Sequence, residues 1–364
     1  MPPDRLRIAI VSTQRGWRGG EIQAALLARG LRDQGHELVL LAAADAPLRH
    51  RLAADEFTTR DLTAPGSPLT LARARGFLRR FKADVLHFND PRAMSTVAPA
   101  AAGLGIPARV ITRRVDYELR NPTAYRVLVD SLLCVSDAVR QRCARAGIAP
   151  RRLHVVPDGV DASVWHHRGP SSVELARPRL LAVGALVADK GHDHLLRAFA
   201  LLREAHSGVR LAIAGQGPER ERLSSLAMDL GLSRHVVFHG HRDDVPELMR
   251  TADLLVHPST SEGLASVLIE AMFAGLPIVA SRTGGIPELL EARSAPLARL
   301  VEPGDPPALA VGLAKALSRR RESLEMAARA QRRALAGYTH DQMVERTLQA
   351  YRATLVRGER RGAI

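Results

Sequence analysis

The stretch HPSTSEGLASVLIEAMFAGLP, residues 257–277, follows a strand-like run and carries a helix that is apolar on every side. Glu270 sits inside it, in Val267-Leu268-Ile269-Glu270-Ala271-Met272-Phe273. A helix that is hydrophobic all round is buried, and a buried carboxylate is costly unless its oxygens find partners. Eight residues earlier, Glu262 stands in a polar, turn-like segment ahead of the helix. At a helical rise the two Cα atoms lie about 12 Å apart. That is too far for an acid–base pair acting on one atom, but it suits two carboxylates gripping different hydroxyl-bearing ends of an elongated ligand. A ribose diol offers a buried carboxylate two O–H donors. A buried bridge from Glu270 to an arginine meets the same need, and spacing alone leaves both open.

Outward from this stretch, apolar strand-like runs alternate with helical patterns, the signature of parallel α/β folds. The first half places strands at 7–13, 37–43, 84–89, 109–112, 131–136 and 153–157, with helices such as 20–34 and 137–146 between them. VDASVWHHRGPSSVELARP (160–178) breaks the pattern with Gly, Pro, Ser and His and reads as a linker. The rhythm restarts with strands at 178–186, 209–215, 236–240, 252–259, 277–281 and 298–304, and helices from about 306 close the chain. The expected architecture is two Rossmann-like, doubly wound domains facing across a cleft, because such sheets bind ligands at the carboxyl ends of their strands. Boundaries fall at 1–165, 166–340 and 341–364, the last a helix expected to pack back on the first domain, with 356–364 frayed at its end.

With 364 residues and 46% hydrophobic content, the chain is long enough for two cores. It contains no apolar run of about 18 residues, the length a membrane span needs, and MPPDRLRIAI enters a strand without the apolar region of a secretory leader. Two cysteines, Cys134 and Cys143, provide neither a metal cluster nor a disulfide framework. The expected location is the cytoplasm, with the cytoplasmic face of the inner membrane as a place of work. Net charge is +14, but lysine occurs only at 82, 190 and 315, and this arginine skew with abundant alanine reads as compositional bias. Aromatic content of 4% argues against stacking platforms for single strands, and no nucleic-acid module is recognisable.

Several loops sit just after predicted strands. VGALVADKGHDHLL places Lys190-Gly191 at a helix start, where an ammonium adds to unpaired N–H groups and the positive end of the dipole; a surface Lys-Gly pair looks the same. AGQGPER (214–220) is a ligand loop or a plain strand-to-helix turn, and Gly284-Gly285 in SRTGGIPELL can bring backbone N–H groups against an anion. LTLARARGFLRRFKADVL (69–86) is a basic amphipathic helix. It reads as a solvated helix packing its apolar face on its own sheet, with an anionic membrane surface as the alternative.

PSTSEGLASVLIEAMFAGLPIVAS resembles the E-x7-E signature of glycosyltransferase family 4, the retaining GT-B sugar transferases. VGALVADKGHDHLL, AGQGPER, FHGHRDDVPELMRTADLLVHPS and TGGIPELL occur in that family's order, as do RGGEIQAALLARGLRDQGHEL, DVLHFND and LLCVSDAVRQRCARAGIAPRRLHVVPDGVD in the first half. The resemblance covers nearly the whole chain. It implies a GT-B fold, a nucleotide-sugar donor (UDP-, GDP- or ADP-linked), no metal and no other cofactor, and a glycan or glycolipid acceptor in surface polysaccharide synthesis. Residue by residue, it places Glu270 on the ribose, Glu262 beside the transferred sugar, Gly263, Leu264, Ala265 and Ser266 with backbone N–H groups near sugar and phosphate, and Lys190 on the diphosphate. Gly184 opens the loop before Lys190. Gly19 and Gly20 match the family's Gly-rich first loop, and His241 falls in the base pocket. Ala185 replaces a common arginine, leaving Lys190, helix N-termini and Arg18 or Arg282 for the phosphates. Arg113 stands where many members carry a histidine and can contact an anion but cannot act as a base near neutral pH. His87 is the alternative active-site histidine, or an ordinary strand-end residue. A GT-B 2-epimerase and an inactive nucleotide-sugar-binding relative are the rival readings; STQRGWRGGE is not a dinucleotide fingerprint.

Overall fold

The computed structural model describes residues 3–64, 66–165, 179–292 and 295–362. The chain divides into two compact units, residues 1–159 with 340–364, and residues 160–339. Most of the expected linker, residues 166–178, lies outside the described residues.

In the first unit seven parallel strands form one sheet: β1 (Arg7–Val11), β2 (Glu37–Ala42), β3 (Thr58–Asp61), β4 (Val85–Phe88), β5 (Ala108–Arg113), β6 (Ser131–Cys134) and β7 (Leu153–Val155). Their order is β3-β2-β1-β4-β5-β6-β7. The central strands are buried along their length, as parallel strands covered on both faces must be, and this is why they read as continuous apolar runs. The sequence pattern did not announce β3, whose TTRD is polar and mostly exposed because it is an edge strand.

The second unit repeats the design with six parallel strands: β8 (Arg179–Val183), β9 (Arg210–Ala214), β10 (Val236–Gly240), β11 (Leu254–His257), β12 (Ile278–Ser281) and β13 (Arg299–Val301), ordered β10-β9-β8-β11-β12-β13. In each sheet the chain winds outward from one strand, then returns to wind the other way. The reversal falls between β1 and β4 in the first sheet and between β8 and β11 in the second. The strand ends diverge at such a switch point and leave a crevice, so it is the place to look for a ligand.

The last helix, His340–Gly362, belongs to the first unit and continues through residues expected to fray. It is pinned at several levels. A Cβ at Gly30 would come within 2.5 Å of the Val344 side chain, so the helix Gly19–Asp33 lies close against it. Ser131 Oγ and Thr354 Oγ1 are 2.7 Å apart, and Arg357 Nη1 donates to the Arg151 carbonyl at 2.8 Å. Deepest is a triad of His87, Thr112 and Tyr351. The ring Nδ1 of His87 meets the Tyr351 hydroxyl and Nε2 lies 2.7 Å from Thr112 Oγ1. Burial pushes His87 down to about 3, so the ring is neutral and one nitrogen accepts while the other donates.

The helix at 69–86 is observed as Pro68–Phe81. Its Ala74 and Leu78 are buried and Arg60 lies over the Phe77 ring at 4.7 Å, so the apolar stripe is largely spent inside the unit, while Arg73, Arg79, Arg80 and Lys82 stay exposed.

Tyr351→Phe leaves the His87 Nδ1 unpaired in a dry site, a loss of about 1–3 kcal/mol. Hydrogen exchange of the His340–Gly362 amides should show protection falling by that amount. Unchanged protection would mean the triad does not hold the helix.

Candidate functional site

Four loops follow β8, β9, β11 and β12 at the carboxyl edge of the second sheet, and backbone hydrogen bonds knit them together. Gly184 donates to the Ala214 carbonyl at 3.0 Å, Leu186 to Gln216 at 3.1 Å, Thr260 to Asp189 at 2.8 Å and Gly285 to Glu262 at 3.3 Å. Two glycines are required by this closeness. Gly191 has φ +64°, and a Cβ there would lie 2.2 Å from the Pro258 carbonyl oxygen; at Gly215 it would lie 1.8 Å from that of Gly184. No other residue lets these backbones meet.

At the switch point between β8 and β11 the two loops place Lys190 against Glu262. The ammonium pairs with Glu262 Oε1, which also lies 2.7 Å from His257 Nε2 and accepts from Ser259 Oγ at 2.9 Å. Glu262 is only 8% exposed. Burial alone would raise its pKa, but hydrogen bonding and charge from His257, and then from Lys190, outweigh burial and hold the carboxyl well below the usual range. The expected helical separation of the two glutamates does not apply, because Glu262 stands ahead of the helix Ser266–Phe273 in a loop folded back onto β11.

The burial expectation is corrected for the other glutamate. Leu268, Ile269, Ala271, Met272 and Phe273 are buried, but Ser266, Val267 and Glu270 are half-buried along one strip, three and four residues apart. Glu270 therefore lies on the open face. That helix begins without a side-chain cap at Ala265, whose φ of +67° is unusual for a residue with a Cβ. Gly263 and Leu264 are buried just ahead of it. The helix His192–Ala205 also starts without a side-chain cap, directly after Lys190-Gly191. Two uncapped helix starts thus border the ion pair. His241 follows β10 on an exposed loop, with Nε2 3.5 Å from Asp243 Oδ1. Arg282 pairs with Glu291.

In the first unit Gly19 and Gly20 open the helix Gly19–Asp33 after β1. The other side of that switch point supplies Asn89, whose Nδ2 donates to the Gly20 carbonyl at 3.5 Å. The arginine beside this loop is Arg114, not Arg113. Arg114 donates to Asn89 Oδ1 at 2.8 Å and to Asp158 Oδ1 at 3.3 Å, and its Cδ lies 3.9 Å from where a Cβ on Gly20 would be. Arg113 is buried and turns away, donating to the Tyr117 carbonyl and to the Tyr125 hydroxyl at 3.4 Å. His87, with both ring nitrogens engaged in the triad above, faces the core. The sequence reading missed Arg114, Asn89, His257 and Ser259. The last two lay in plain view in HPSTSE, but no spacing rule marks them.

Among the described residues no group of three or more His, Cys, Asp and Glu is placed to hold a metal ion, and no helix is long and apolar enough to cross a membrane.

A family model described as glycosyl transferases group 1 matches residues 164–334, and one described as glycosyltransferase family 4 matches residues 17–164. The chain belongs to glycosyltransferase family 4. Over 252 residues it is 30% identical to a GDP-mannose-dependent alpha-(1-6)-phosphatidylinositol monomannoside mannosyltransferase of Mycobacterium tuberculosis, covering 62% of this chain and 65% of that protein. Over 215 residues it is 32% identical to the lipopolysaccharide core biosynthesis glycosyltransferase LpsE of Rhizobium meliloti, covering 58% and 60%. The match thus spans less than two thirds of either relative's length. In fold, this family 4 chain is similar to Anabaena HepE, solved in complex with UDP-glucose, with TM-score 0.82, 22% identity and coverage of 95% of this chain and 100% of that one. That likeness shows the GT-B pair of parallel-sheet domains.

Glu262→Gln keeps an amide oxygen but removes the charge that Lys190 answers, costing about 1–3 kcal/mol. The folded carboxyl titrates below its ordinary 4.5, so its contribution is complete above that pH and fades as pH falls toward the folded value. Denaturation at a series of pH values should show a constant gap between wild type and variant above 4.5 and a shrinking gap below it. A gap that ignores acid would mean the charge is not what stabilises the loop.

Proposed function

We propose that the chain transfers a sugar from a nucleotide diphosphate to an acceptor hydroxyl with retention of anomeric configuration, in the synthesis of a bacterial surface glycan such as lipopolysaccharide, capsule or exopolysaccharide. The observation that carries this reading is the meeting of Lys190 and Glu262 at the switch point between two uncapped helix starts, with Glu270 on the open strip nearby. The named relatives act with GDP-mannose or in lipopolysaccharide core synthesis, and HepE holds UDP-glucose; these support a nucleotide-sugar donor and a glycan or glycolipid acceptor.

In this reading Lys190 and the N–H groups from Gly263 to Ser266 receive the diphosphate, and Gly184 keeps the approach clear. Glu262 lies beside the transferred sugar, Glu270 accepts from the ribose hydroxyls, and His241 borders the base. The C1–O bond breaks with its electron pair going to the diphosphate oxygen. The acceptor oxygen bonds to C1 on the same face, and its proton passes to the departing diphosphate. Fixed positive groups aimed at the oxygen where charge develops lower this barrier. Arg113 and His87 are positioning residues of the first unit here, because their polar atoms are turned into its interior. The exposed Arg73, Arg79, Arg80 and Lys82 give the first unit a positive face suited to an anionic membrane at the cytoplasmic side of the inner membrane, where a lipid-linked acceptor is found.

Thermal stabilisation by UDP, GDP and ADP, with Glu270→Gln alongside, tests the reading. At a hundredfold excess over Kd the accepted nucleotide adds about 2.7 kcal/mol. Loss of two charge-assisted hydrogen bonds weakens binding by roughly ten- to a hundredfold in the variant. No stabilisation by any of the three nucleotides would refute a nucleotide donor.

A further inference from the structure

His192 is the first residue of the helix His192–Ala205 and is 3% exposed, yet neither ring nitrogen makes a well-formed hydrogen bond among the described residues. An imidazole buried this way is costly and calls for an explanation. Its Nε2 lies beside the position that Gly184 leaves without a side chain. A Cβ built on Gly184 would lie 3.9 Å from that nitrogen and 3.9 Å from Lys190 Cδ. The ring, the lysine stem and the missing side chain therefore converge on one spot, at the start of an uncapped fourteen-residue helix.

We infer that His192 is a further ligand of the donor's diphosphate, taking a proton from solvent as the anion arrives and donating from Nε2 to a phosphate oxygen beside Lys190. This rests on the nucleotide-diphosphate reading above. Burial holds the ring down at about 4, helped by the charges of His257 from β11 and Lys190 from the preceding turn, against the Ala185 backbone and Asp193 on its own helix. Glu262, bound to both His257 and Lys190, is the nearby carboxylate already committed. A diphosphate adds negative charge beyond what Asp193 alone supplies. It raises the ring's proton affinity, and linkage then makes nucleotide binding tighten as pH falls below the raised pKa of the bound ring toward the free ring's value of about 4.

The test is calorimetric titration of the full chain with whichever of UDP, GDP and ADP stabilises it, at several pH values and in buffers of different ionisation enthalpy. Wild type takes up protons on binding near the lower pH, and its affinity advantage over His192→Gln grows to about tenfold there. The phosphate's own ionisation, near pH 6, is common to both proteins and cancels in the ratio. His192→Gln melts no lower than wild type without ligand, and the parent nucleoside, which lacks phosphate, does not distinguish the two. Equal affinities and identical proton uptake in wild type and variant overturn the inference while leaving the donor reading intact. Wild type that binds no nucleoside diphosphate overturns both.

Discussion

A carboxylate withdrawn from water at the end of a parallel sheet is tolerated only where several donors converge on it, and Glu262 finds three of them in two loops. Ser259 and His257 come from its own loop, and Lys190 comes from the loop after the adjacent strand. That convergence dictates the rest of the edge. Lys190 reaches Glu262 only if the turn at Gly191 presses on the Pro258 carbonyl, and Gly215 must pack on Gly184 for the same loop to lie flat. The glycines, the short helix starts and the left-handed Ala265 follow from bringing backbones together at the switch point.

The first unit has the corresponding geometry with different chemistry. Asn89 and Arg114 meet the Gly19–Gly20 turn across the β1–β4 switch. The core beneath depends on a helix contributed from the far end of the chain. Tyr351 reaches His87 across 264 residues of sequence, and this unit is therefore complete only when the last helix has been made.

What the sequence showed, and what it hid, follows from the range of the interactions. Parallel strands are buried on both faces and announce themselves as apolar runs, so twelve of the thirteen strands were legible and polar β3 was not. Lys190, Glu262 and Glu270 stood out by type and spacing, but their environments were exchanged in the reading. The apolar run around Glu270 concealed a strip of Ser266, Val267 and Glu270 that periodicity over eight residues is too short to resolve, whereas the polar run around Glu262 concealed a fold-back that buries it. Arg113 and Arg114 show the same limit at its smallest scale. Successive side chains of a strand face opposite sides, so one arginine enters the interior and its neighbour reaches the Gly-rich turn, and nothing local says which.

The charge balance of the second site explains why an orphaned imidazole can persist in it. Lys190 is the lysine of this edge, and its charge is already answered by Glu262, so the pair leaves little surplus of positive charge. A diphosphate must either draw the ammonium away from Glu262 or find positive charge elsewhere. The uncapped starts at Ser266 and His192 supply roughly half a unit each through their dipoles. A neutral histidine costs less to bury than a permanent cation would, and it becomes a cation only when an anion is there to answer it. A site built this way keeps its strongest positive potential for the moment the ligand is bound, and it avoids holding an unpaired cation beside the Lys190–Glu262 pair in the meantime.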